Sequence, residues 1–457
     1  MPKLRYSVII FFVWVSCSLK EESVSFDSSL SLIFSTDTVS FDTLLSERRS
    51  STKRLTVYNP NEEAIQISSI RVGRRQNSDY SAIINCRASN QVNKETLNGG
   101  DSLLILVEVN ISERDRNQPY LVKDSIVFNW NTNEADIKLV SIGQDATEVD
   151  GTTICDETWT NQRPYIISDT VFVSPNCQLT IEEGASIYFE NDAALFIQGS
   201  LSAIGDSAEH IVFRGARFDG IYDQVPGQWN GIYFLEGSTN NQIAFAEIFN
   251  GQIGLRVGTP DDDDIPDITV QNTEIYNMSV AGILAFTSDI SATNTLIYNC
   301  GNYLVGGFAG GNYDFTHCTF SNEPALFVQD EPTVQFSDNI VISEDELLVE
   351  DLSLELINTI VWGSNDEELL INNGGGANVT AILSQNIIRS SQELDDNFVS
   401  QEFNFPGFKN ALSNDYSLDT LAFAKDKGAD AGIDIDIRGF PRDELPDIGS
   451  YERIEKQ

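Results

Sequence analysis

The sequence has 457 residues and a formal net charge of −41, from 69 acidic and 28 basic side chains. A hydrophobic content of 41% is enough for a sizeable core and argues against disorder. The negative charge excludes nucleic acid as a partner and favours cations or basic surfaces. The acidity is concentrated in residues 151–408, which hold 38 acidic and five basic side chains. We therefore expect the domain to change near residue 150.

The N-terminus has the pattern of an export signal. Two basic residues precede an apolar run at residues 8–15, which is too short to span a bilayer. The run ends at Val15-Ser16-Cys17, which resembles the lipobox of bacterial lipoproteins, with Trp14 where that motif usually has Leu. The resemblance implies that residues 1–16 are a signal peptide and that Cys17 carries the lipid. An ordinary secretory signal with a free Cys17 is the alternative.

The residues after Cys17 predict the cellular location of the protein. Lys20-Glu21-Glu22 resembles the signal that sends some lipoproteins to the outer face of the outer membrane. Residues 17–50 are rich in Ser, Asp and Thr and are expected to be a tether between the lipid and the first folded unit. The predicted partners are the outer membrane, through the lipid, and an extracellular glycan or surface protein.

Residues 51–150 have the pattern of a small antiparallel β-sandwich. Alternating runs such as Leu55–Val57 and Leu103–Val109 are broken by an Asn-Pro turn and a Gly-Gly-Asp turn. The phrase from Leu55 to Pro60, followed by the turn at residues 99–101, resembles the immunoglobulin-like accessory domains of bacterial surface proteins. We therefore predict an immunoglobulin-like β-sandwich here.

Residues 151–408 contain an internal repeat. Asn272-Thr-Glu-Ile-Tyr-Asn277 recurs 22 residues later as Asn294-Thr-Leu-Ile-Tyr-Asn299, and weaker copies such as Asn339-Ile-Val341 follow at similar intervals. Short β-branched segments at this period predict stacked parallel strands, because each turn of the coil buries its apolar side chains against its neighbours. Parallel crossovers are overwhelmingly right-handed. The recurring asparagines are expected to stack as a ladder at a turn: Asn250, Asn277, Asn299 and Asn322.

Further phrases point to a family. The patterns L-T-I-x-x-G at residues 179–184, G-x-L-x-A-x-G at 199–205 and W-x-G-I at 229–232 resemble the right-handed parallel β-helix family of bacterial surface proteins. Residues 409–457 end in Asp447-Ile-Gly-Ser-Tyr-Glu452, which is similar to the closing motif of that family. The predicted fold is all-β, a solenoid whose ends are shielded by the sandwich and by the closing motif.

Two features of the sequence suggest a disulfide bond and a metal site. Cys155 and Cys177 are a candidate disulfide pair, whereas Cys300 and Cys318 are expected to be buried free thiols. A loop between two repeats carries carboxylates flanked by prolines, and such oxygen ligands suit Ca²⁺, the one candidate cofactor. A solvated acidic turn is the alternative reading of this loop. The candidate calcium ligands are Asp261, Asp262, Asp263, Asp264 and Asp267.

No assembled catalytic set is visible in the sequence. Arg214 and Arg217 lie near Asp219 and Asp223, and we expect them to form an exposed salt-bridged turn rather than a site. Five aromatic residues are candidates for a carbohydrate-stacking face, although alternation along the strands is expected to bury several of them: Trp229, Tyr233, Tyr276, Tyr298 and Trp362.

The preferred function is therefore a non-catalytic cell-surface scaffold that binds glycan, protein or cation. The alternative is a carbohydrate-active enzyme, either a calcium-dependent polysaccharide lyase or a glycosidase, that acts on an acidic polysaccharide. Only fold analogy and abundant carboxylates favour the enzyme. No catalytic residue is assigned.

Overall fold

The computed structural model describes residues 23–218, 220–258, 265–343 and 346–454. The regular structure within these ranges is almost entirely β, which confirms the predicted all-β class. Its helical segments are short 3-10 turns at Arg75–Asn77, Gly220–Gln224 and Ala411–Ser413. None of the described helical segments is long and apolar enough to cross a membrane. The described residues divide into two compact units, of which the first comprises residues 23–113 and 120–143 and the second comprises residues 114–119 and the described residues from 144 to 454.

The first unit is a β-sandwich in which two sheets enclose one apolar core. The six-stranded sheet consists of Val24–Ser25, Ala64–Val72, Tyr120–Trp130, Asn133–Gln144, Thr38–Leu45 and, paired with Ala64–Val72, Gln91–Leu97. The five-stranded sheet consists of Ile33–Phe34, Lys53–Tyr58, Ser102–Val109, Tyr80–Ile84 and Arg87–Ala88. Alternate residues of these strands are buried, as the period-two pattern predicts.

The tether expected over residues 17–50 differs from the structure. Residues from Val24 onward contribute three strands to the sandwich, and Thr38–Leu45 buries Val39, Phe41 and Leu45. The physical reason is that this Ser- and Thr-rich strand alternates polar and apolar side chains, so one of its faces can join the core. The folded unit therefore begins before residue 51.

The second unit is a parallel coil of three sheets, which confirms the predicted β-helix. Sheet 1 consists of Thr147–Val149, Tyr165–Ile167, Ser186–Phe189, Ile211–Gly215, Ala246–Phe249, Glu274–Met278, Leu296–Cys300, Thr319–Ser321, Ile360–Trp362, Ile387–Arg389 and Phe398–Ser400. Sheet 2 consists of Thr153–Ile154, Val171–Val173, Ala194–Ile197, Gly231–Phe234, Ile253–Val257, Ala281–Phe286, Tyr303–Phe308, Val334–Ser337 and Leu369–Asn372. Sheet 3 consists of Glu157–Trp159, Gln178–Ile181, Ser200–Ile204, Asn241–Ala244, Ile268–Gln271, Ile290–Thr293, Gly311–Thr316, Leu352–Ile357 and Val379–Ser384.

The sequence repeat sets the register of the coil. Ile275 pairs with Ile297 and Tyr276 with Tyr298, so residues 22 apart lie directly above one another. The side chains that point into the coil form one continuous apolar core along its length. Each turn of the coil is therefore stabilised mainly by the turns on either side of it.

Asparagines turn the chain from one sheet to the next. Asn250, Asn277 and Asn299 have positive φ, a conformation that asparagine tolerates better than most residues. The Asn277 amide donates to Oδ1 of Asn250, and the Asn299 amide donates to Oδ1 of Asn277. The Cys300 amide donates to Asn322, which extends the polar column. The predicted ladder is confirmed for this column.

One predicted copy of the repeat is not a turn of the coil. Asn339–Ser343 pairs antiparallel with Glu346–Val349, and the hairpin lies between a strand of sheet 2 and a strand of sheet 3. Val341 is 70% exposed, so its apolar side chain does not enter the core. The next strand of sheet 1 is instead Ile360–Trp362. A short β-branched phrase can form either structure, because its burial depends on residues distant in sequence.

The C-terminal segment, here residues 401–454, packs along the outer side of sheet 1 rather than over the end of the coil. It contains the antiparallel pair Phe408–Asn410 and Asp415–Leu418. Its apolar residues share a second core with outward-facing residues of sheet 1 such as Tyr298 and Trp362. The expectation that this motif shields the end of the solenoid was wrong, because sheet 1 carries an outward apolar stripe that requires cover.

Candidate functional site

Sheet 2 carries a column of outward-facing aromatic side chains. In Val171-Phe172-Val173 and Leu195-Phe196-Ile197, the aliphatic residues enter the core and the central phenylalanine points outward. Phe172 pairs with Phe196, Phe196 with Tyr233, and Tyr233 with Arg256. Residues that pair in a parallel sheet lie about 4.8 Å apart. The four side chains therefore form one row along the coil.

The contacts within this row continue onto a second pair of rings. The Phe196 and Tyr233 rings stack with centroids 4.8 Å apart. The Arg256 guanidinium lies 5.9 Å from the centre of the Tyr233 ring and 5.2 Å from that of Phe286. The Phe286 and Phe308 rings are 6.1 Å apart. We call the half-buried residues Phe172, Phe196, Tyr233, Arg256, Phe286 and Phe308 the aromatic face.

A buried glycine continues the row. Gly306 pairs with Leu284, which pairs with Arg256, so Gly306 lies three turns of the coil beyond Tyr233. A Cβ atom at Gly306 would lie 2.9 Å from the Phe308 ring and 3.3 Å from Tyr303. Any larger residue would therefore displace those rings. The glycine is buried, and its lack of a side chain lets the Phe308, Leu284 and Tyr303 side chains pack closely over it.

A polar cleft lies on sheet 1, in which Glu247 pairs with Glu274 on the next strand. Nδ1 of His210 is 3.5 Å from a Glu247 carboxylate oxygen. The Tyr276 hydroxyl donates to Glu247 and the Tyr451 hydroxyl to Glu274, both at 3.4 Å. These four pairs of partners join different segments of the chain around two carboxyl groups. We call His210, Glu247, Glu274, Tyr276 and Tyr451 the acidic cleft.

The two carboxyl groups of the acidic cleft are in different environments. Burial raises the pKa of Glu274 to about 7, the charge of Glu247 raises it further, and His210 and Tyr451 oppose the shift. The pKa of His210 is raised by its hydrogen bond with Glu247. Glu247 and His210 line an open cleft of about 730 Å³. Glu274, whose pKa is raised, therefore lies beside a second carboxyl group that lines the cleft, and such a pair can serve in general acid catalysis.

Glu274→Gln is expected to change the pH dependence of stability. The folded chain keeps the Glu274 proton up to about pH 7, whereas the unfolded value is 4.5, so this group makes the wild type less stable as pH rises between those values. The variant lacks this loss, so its stability relative to the wild type should rise by roughly 3 kcal/mol between pH 4.5 and pH 8. Urea unfolding across this range measures it. A constant difference, as expected for the exposed Glu236→Gln control, would contradict the argument.

Comparisons with known proteins support the fold. Residues 202–390 match the family model described as "Right handed beta helix region". This part of the chain is a right-handed β-helix. No curated protein matches the chain.

Solved structures with some likeness to this β-helix chain include glycoside hydrolases. A GH87 α-1,3-glucanase from Streptomyces thermodiastaticus strain HF3-3 is 11% identical, with a TM-score of 0.34 and 76% of each chain covered. A family 123 glycoside hydrolase from Clostridium perfringens is 7% identical, with a TM-score of 0.19 over 29% of this chain and 31% of that one. VesB protease from Vibrio cholerae is 12% identical, with a TM-score of 0.18 over 24% and 31%. The chain spans about a third of the length of the last two. At these scores the likeness carries no information on activity.

The five aromatic residues that the sequence offers as candidates for a carbohydrate-stacking face lie in different parts of the β-helix. Trp229 and Trp362 are fully buried, and Tyr298 is 5% exposed beneath the C-terminal segment. Tyr276 stacks between two rings of sheet 1 and belongs to the acidic cleft. Tyr233 alone of the five lies on the aromatic face. The signal that could have found its neighbours is the repeated triplet in which an aromatic residue stands between two aliphatic ones.

The ion pair expected near residue 215 is present, but Arg214 does not lie on an exposed turn: it is in the strand Ile211–Gly215, and its side chain is 13% exposed. Arg214 forms an ion pair with Asp223 at 2.7 Å, and the Arg217 guanidinium lies 3.3 Å from the centre of the Tyr222 ring. Asp219 lies outside the described residues. Arg256 is on sheet 2 and Arg214 on sheet 1, so these cations are not gathered in one groove.

The cysteines of the β-helix are structural. Cys155 and Cys177 are joined by a disulfide with their Cα atoms 4.8 Å apart. Cys300 and Cys318 are free and buried, and burial raises the pKa of both thiols to about 12. Both are therefore uncharged at neutral pH and pack as small apolar groups, as the sequence predicts.

The candidate calcium ligands are only partly described. Asp261, Asp262, Asp263 and Asp264 lie outside the described residues, as does the candidate lipidation residue Cys17. Asp267 is buried and accepts a hydrogen bond from the Asp289 amide at 2.8 Å. In the described part of the chain, the grouping of three potential metal ligands is Cys155, Asp156 and Cys177. Two of these are already bonded to each other, so that grouping does not fit a metal. Calcium binding by the acidic loop stays a prediction.

Proposed function

We propose that the chain is a glycan-binding protein and that the aromatic face of sheet 2 is its binding surface. The observation that carries this proposal is the row of Phe172, Phe196 and Tyr233 on successive turns of the coil, each half-buried and facing outward. Phe196 and Tyr233 stack on each other, so the apolar faces of sugar rings would pack against the outward edges of these rings, while a tyrosine hydroxyl and a guanidinium can bond sugar oxygens. A row along the coil suits an extended chain of sugars.

The charge of the domain and the solvent exposure of the rings on sheet 2 favour a glycan over other classes of ligand. Residues 151–408 carry 38 acidic and five basic side chains, so polyanions such as nucleic acids are repelled. The outward apolar stripe of sheet 1 is covered by the C-terminal segment, whereas the rings of sheet 2 keep part of their surface in solvent. Partly exposed rings in a row provide a stacking surface without a deep pocket.

The test is affinity electrophoresis of the purified ectodomain through gels that contain dextran, mixed-linkage β-glucan, laminarin, glucuronoxylan or hyaluronan. At least one polymer should retard the wild type, and the double variant Phe196→Ala/Tyr233→Ala should bind it at least about tenfold more weakly. Phe403→Ala removes a ring that is 81% exposed in the C-terminal segment and should bind as the wild type does. Retardation by none of the polymers, or equal retardation of the double variant, would refute the proposal.

The acidic cleft favours a second candidate function, the hydrolysis of a glycosidic bond. Glu274 would donate its proton to the leaving oxygen, while Glu247 either attacks the anomeric carbon or deprotonates the attacking water. The wild type should release reducing ends from a polymer that retards it in the gel. The rate of this release should be at least about 100-fold lower in both Glu247→Gln and Glu274→Gln. An equal rate in wild type and variants, or no release at all, would leave the chain a binding protein.

We also propose that the protein is held at the cell surface by a lipid on Cys17. The support is the lipobox-like Val15-Ser16-Cys17 and the Lys20-Glu21-Glu22 that follows it. Metabolic labelling with an alkyne fatty acid should mark the wild type and not Cys17→Ser. Proteolysis of intact cells then distinguishes the outer face from the periplasmic one.

A further inference from the structure

Arg256 is an unusual residue for its position. The acidic residues 151–408 contain no lysine and only five arginines, and one of these lies in the row of the aromatic face. Its neighbours in the row are Tyr233 on one side and Leu284 on the other. A single positive charge is thus placed on an apolar surface in the most acidic part of the chain.

Other arginines of this part of the chain have polar partners. Arg163 forms an ion pair with Asp115, Arg214 forms one with Asp223, and Arg389 donates to the Asn365 carbonyl. Arg256 lies over the rings of Tyr233 and Phe286. Among the residues that the structure describes, it has no carboxylate within ion-pair distance.

Among the described residues, the guanidinium of Arg256 contacts two aromatic rings and no hydrogen-bond acceptor. A guanidinium that lies over aromatic rings is attracted through its flat face, whereas its five N–H groups point outward in its plane. These groups match the two oxygens of a carboxylate in a fork-like pair. The rings also restrict the side chain, so less conformational entropy is lost when the pair forms.

We propose that the aromatic face selects a glycan that carries a uronic acid, whose carboxylate pairs with Arg256 while adjacent sugars pack against the outward edges of Tyr233 and Phe196. This inference rests on the glycan-binding function proposed above and names the class of ligand. The net negative charge of the domain opposes a polymer with a carboxylate on every sugar. The selected glycan therefore has isolated uronic acids among neutral sugars.

The experiment compares matched polymers. Glucuronoxylan, hyaluronan and xanthan are each used in native form and after carbodiimide reduction of their carboxylates to alcohols, which removes the charge and keeps the sugar chain. Their affinities are measured for wild type, Arg256→Met and Arg256→Lys. Methionine keeps apolar contact with the rings, and lysine keeps the charge without the fork. Lys409→Met, at an exposed ion pair in the C-terminal segment, controls for the loss of one charge.

For at least one polymer, the wild type should bind the native form at least tenfold more tightly than the reduced form. Arg256→Met should lose that preference, Arg256→Lys should keep part of it, and Lys409→Met should keep it fully. Equal binding of native and reduced forms by the wild type, or an unchanged preference in Arg256→Met, overturns the inference. If reduced forms bind and Phe196→Ala/Tyr233→Ala weakens them, the glycan-binding function still stands. If no form binds, both proposals fail.

Discussion

Replacing Arg442 with methionine should lower the free energy of unfolding by about 3–5 kcal/mol, because it leaves a buried carboxylate without its partner. The Arg442 side chain is 2% exposed and lies 3.1 Å from the carboxylate of Glu452, which is 4% exposed. Arg442 also donates to Oδ1 of Asn294 at 2.8 Å and to the Gly449 carbonyl at 3.0 Å. The bond to Asn294 joins the C-terminal segment to a turn between sheets 3 and 1, whereas the bonds to Glu452 and Gly449 lie within the segment.

Unfolding of the Arg442→Met variant should begin in the C-terminal segment. Urea unfolding followed by tryptophan fluorescence should show an earlier transition, since Trp362 is covered by this segment, and limited proteolysis should cleave the segment first. Lys409→Met breaks an ion pair whose lysine side chain is 62% exposed and should change stability by less than about 1 kcal/mol. If Arg442→Met cost no more than this control, the segment would not be held by the buried pair.

Trp229→Ala should cost a similar amount, about 3–5 kcal/mol, through the cavity that it leaves in the β-helix core. The Trp229 ring stacks on Phe189 with centroids 4.0 Å apart, and its indole N–H donates to the Phe249 carbonyl at 2.9 Å. The side chain is fully buried. The substitution therefore removes core packing and leaves a buried carbonyl without its partner.

Tyr233→Ala, four residues further along, is the matched comparison. Its ring faces outward and is half-buried, so the variant should lose less than about 1.5 kcal/mol of stability while losing glycan affinity. Thermal unfolding of both variants measures the contrast. Equal destabilisation by the two substitutions would show that the inner and outer assignments of these rings are wrong.

The repeating part of the fold was predictable from the sequence. A 22-residue repeat determines which residues stack, and the pairing of Tyr276 with Tyr298 follows directly from it. The asparagine ladder follows as well, because asparagine at a recurring position tolerates the positive φ that the turn requires. Local chemistry is sufficient in these cases, since each turn of the coil contacts only its neighbours.

The side of the coil on which each ring lies was harder to predict. Trp229 and Tyr233 are four residues apart in one aromatic phrase, yet one is in the core and the other on the aromatic face. Strands of three or four residues are too short for alternation alone to fix their inner side. The turn next to each strand determines which face of the strand points into the core, and the backbone geometry of that turn is not evident from the sequence.

The acidic cleft depends on contacts between residues far apart in sequence. Tyr451 and Glu274 are 177 residues apart and meet because the C-terminal segment packs along sheet 1. Glu247 and Glu274 belong to phrases that differ in spacing from the 22-residue repeat, so the sequence does not show that they pair. Sites formed by distant segments carry no local pattern, and the raised pKa of Glu274 follows only from its burial.

The most direct test of the central claim is hydroxyl-radical footprinting of the ectodomain with and without a polysaccharide that retards it. If the aromatic face is the binding surface, oxidation of Phe196, Tyr233 and Phe286 should fall several-fold in the complex. The exposed Phe403 should be oxidised equally in both states. Protection of Tyr276 and Tyr451 with no change at Phe196 and Tyr233 would place the ligand in the acidic cleft instead and contradict the account.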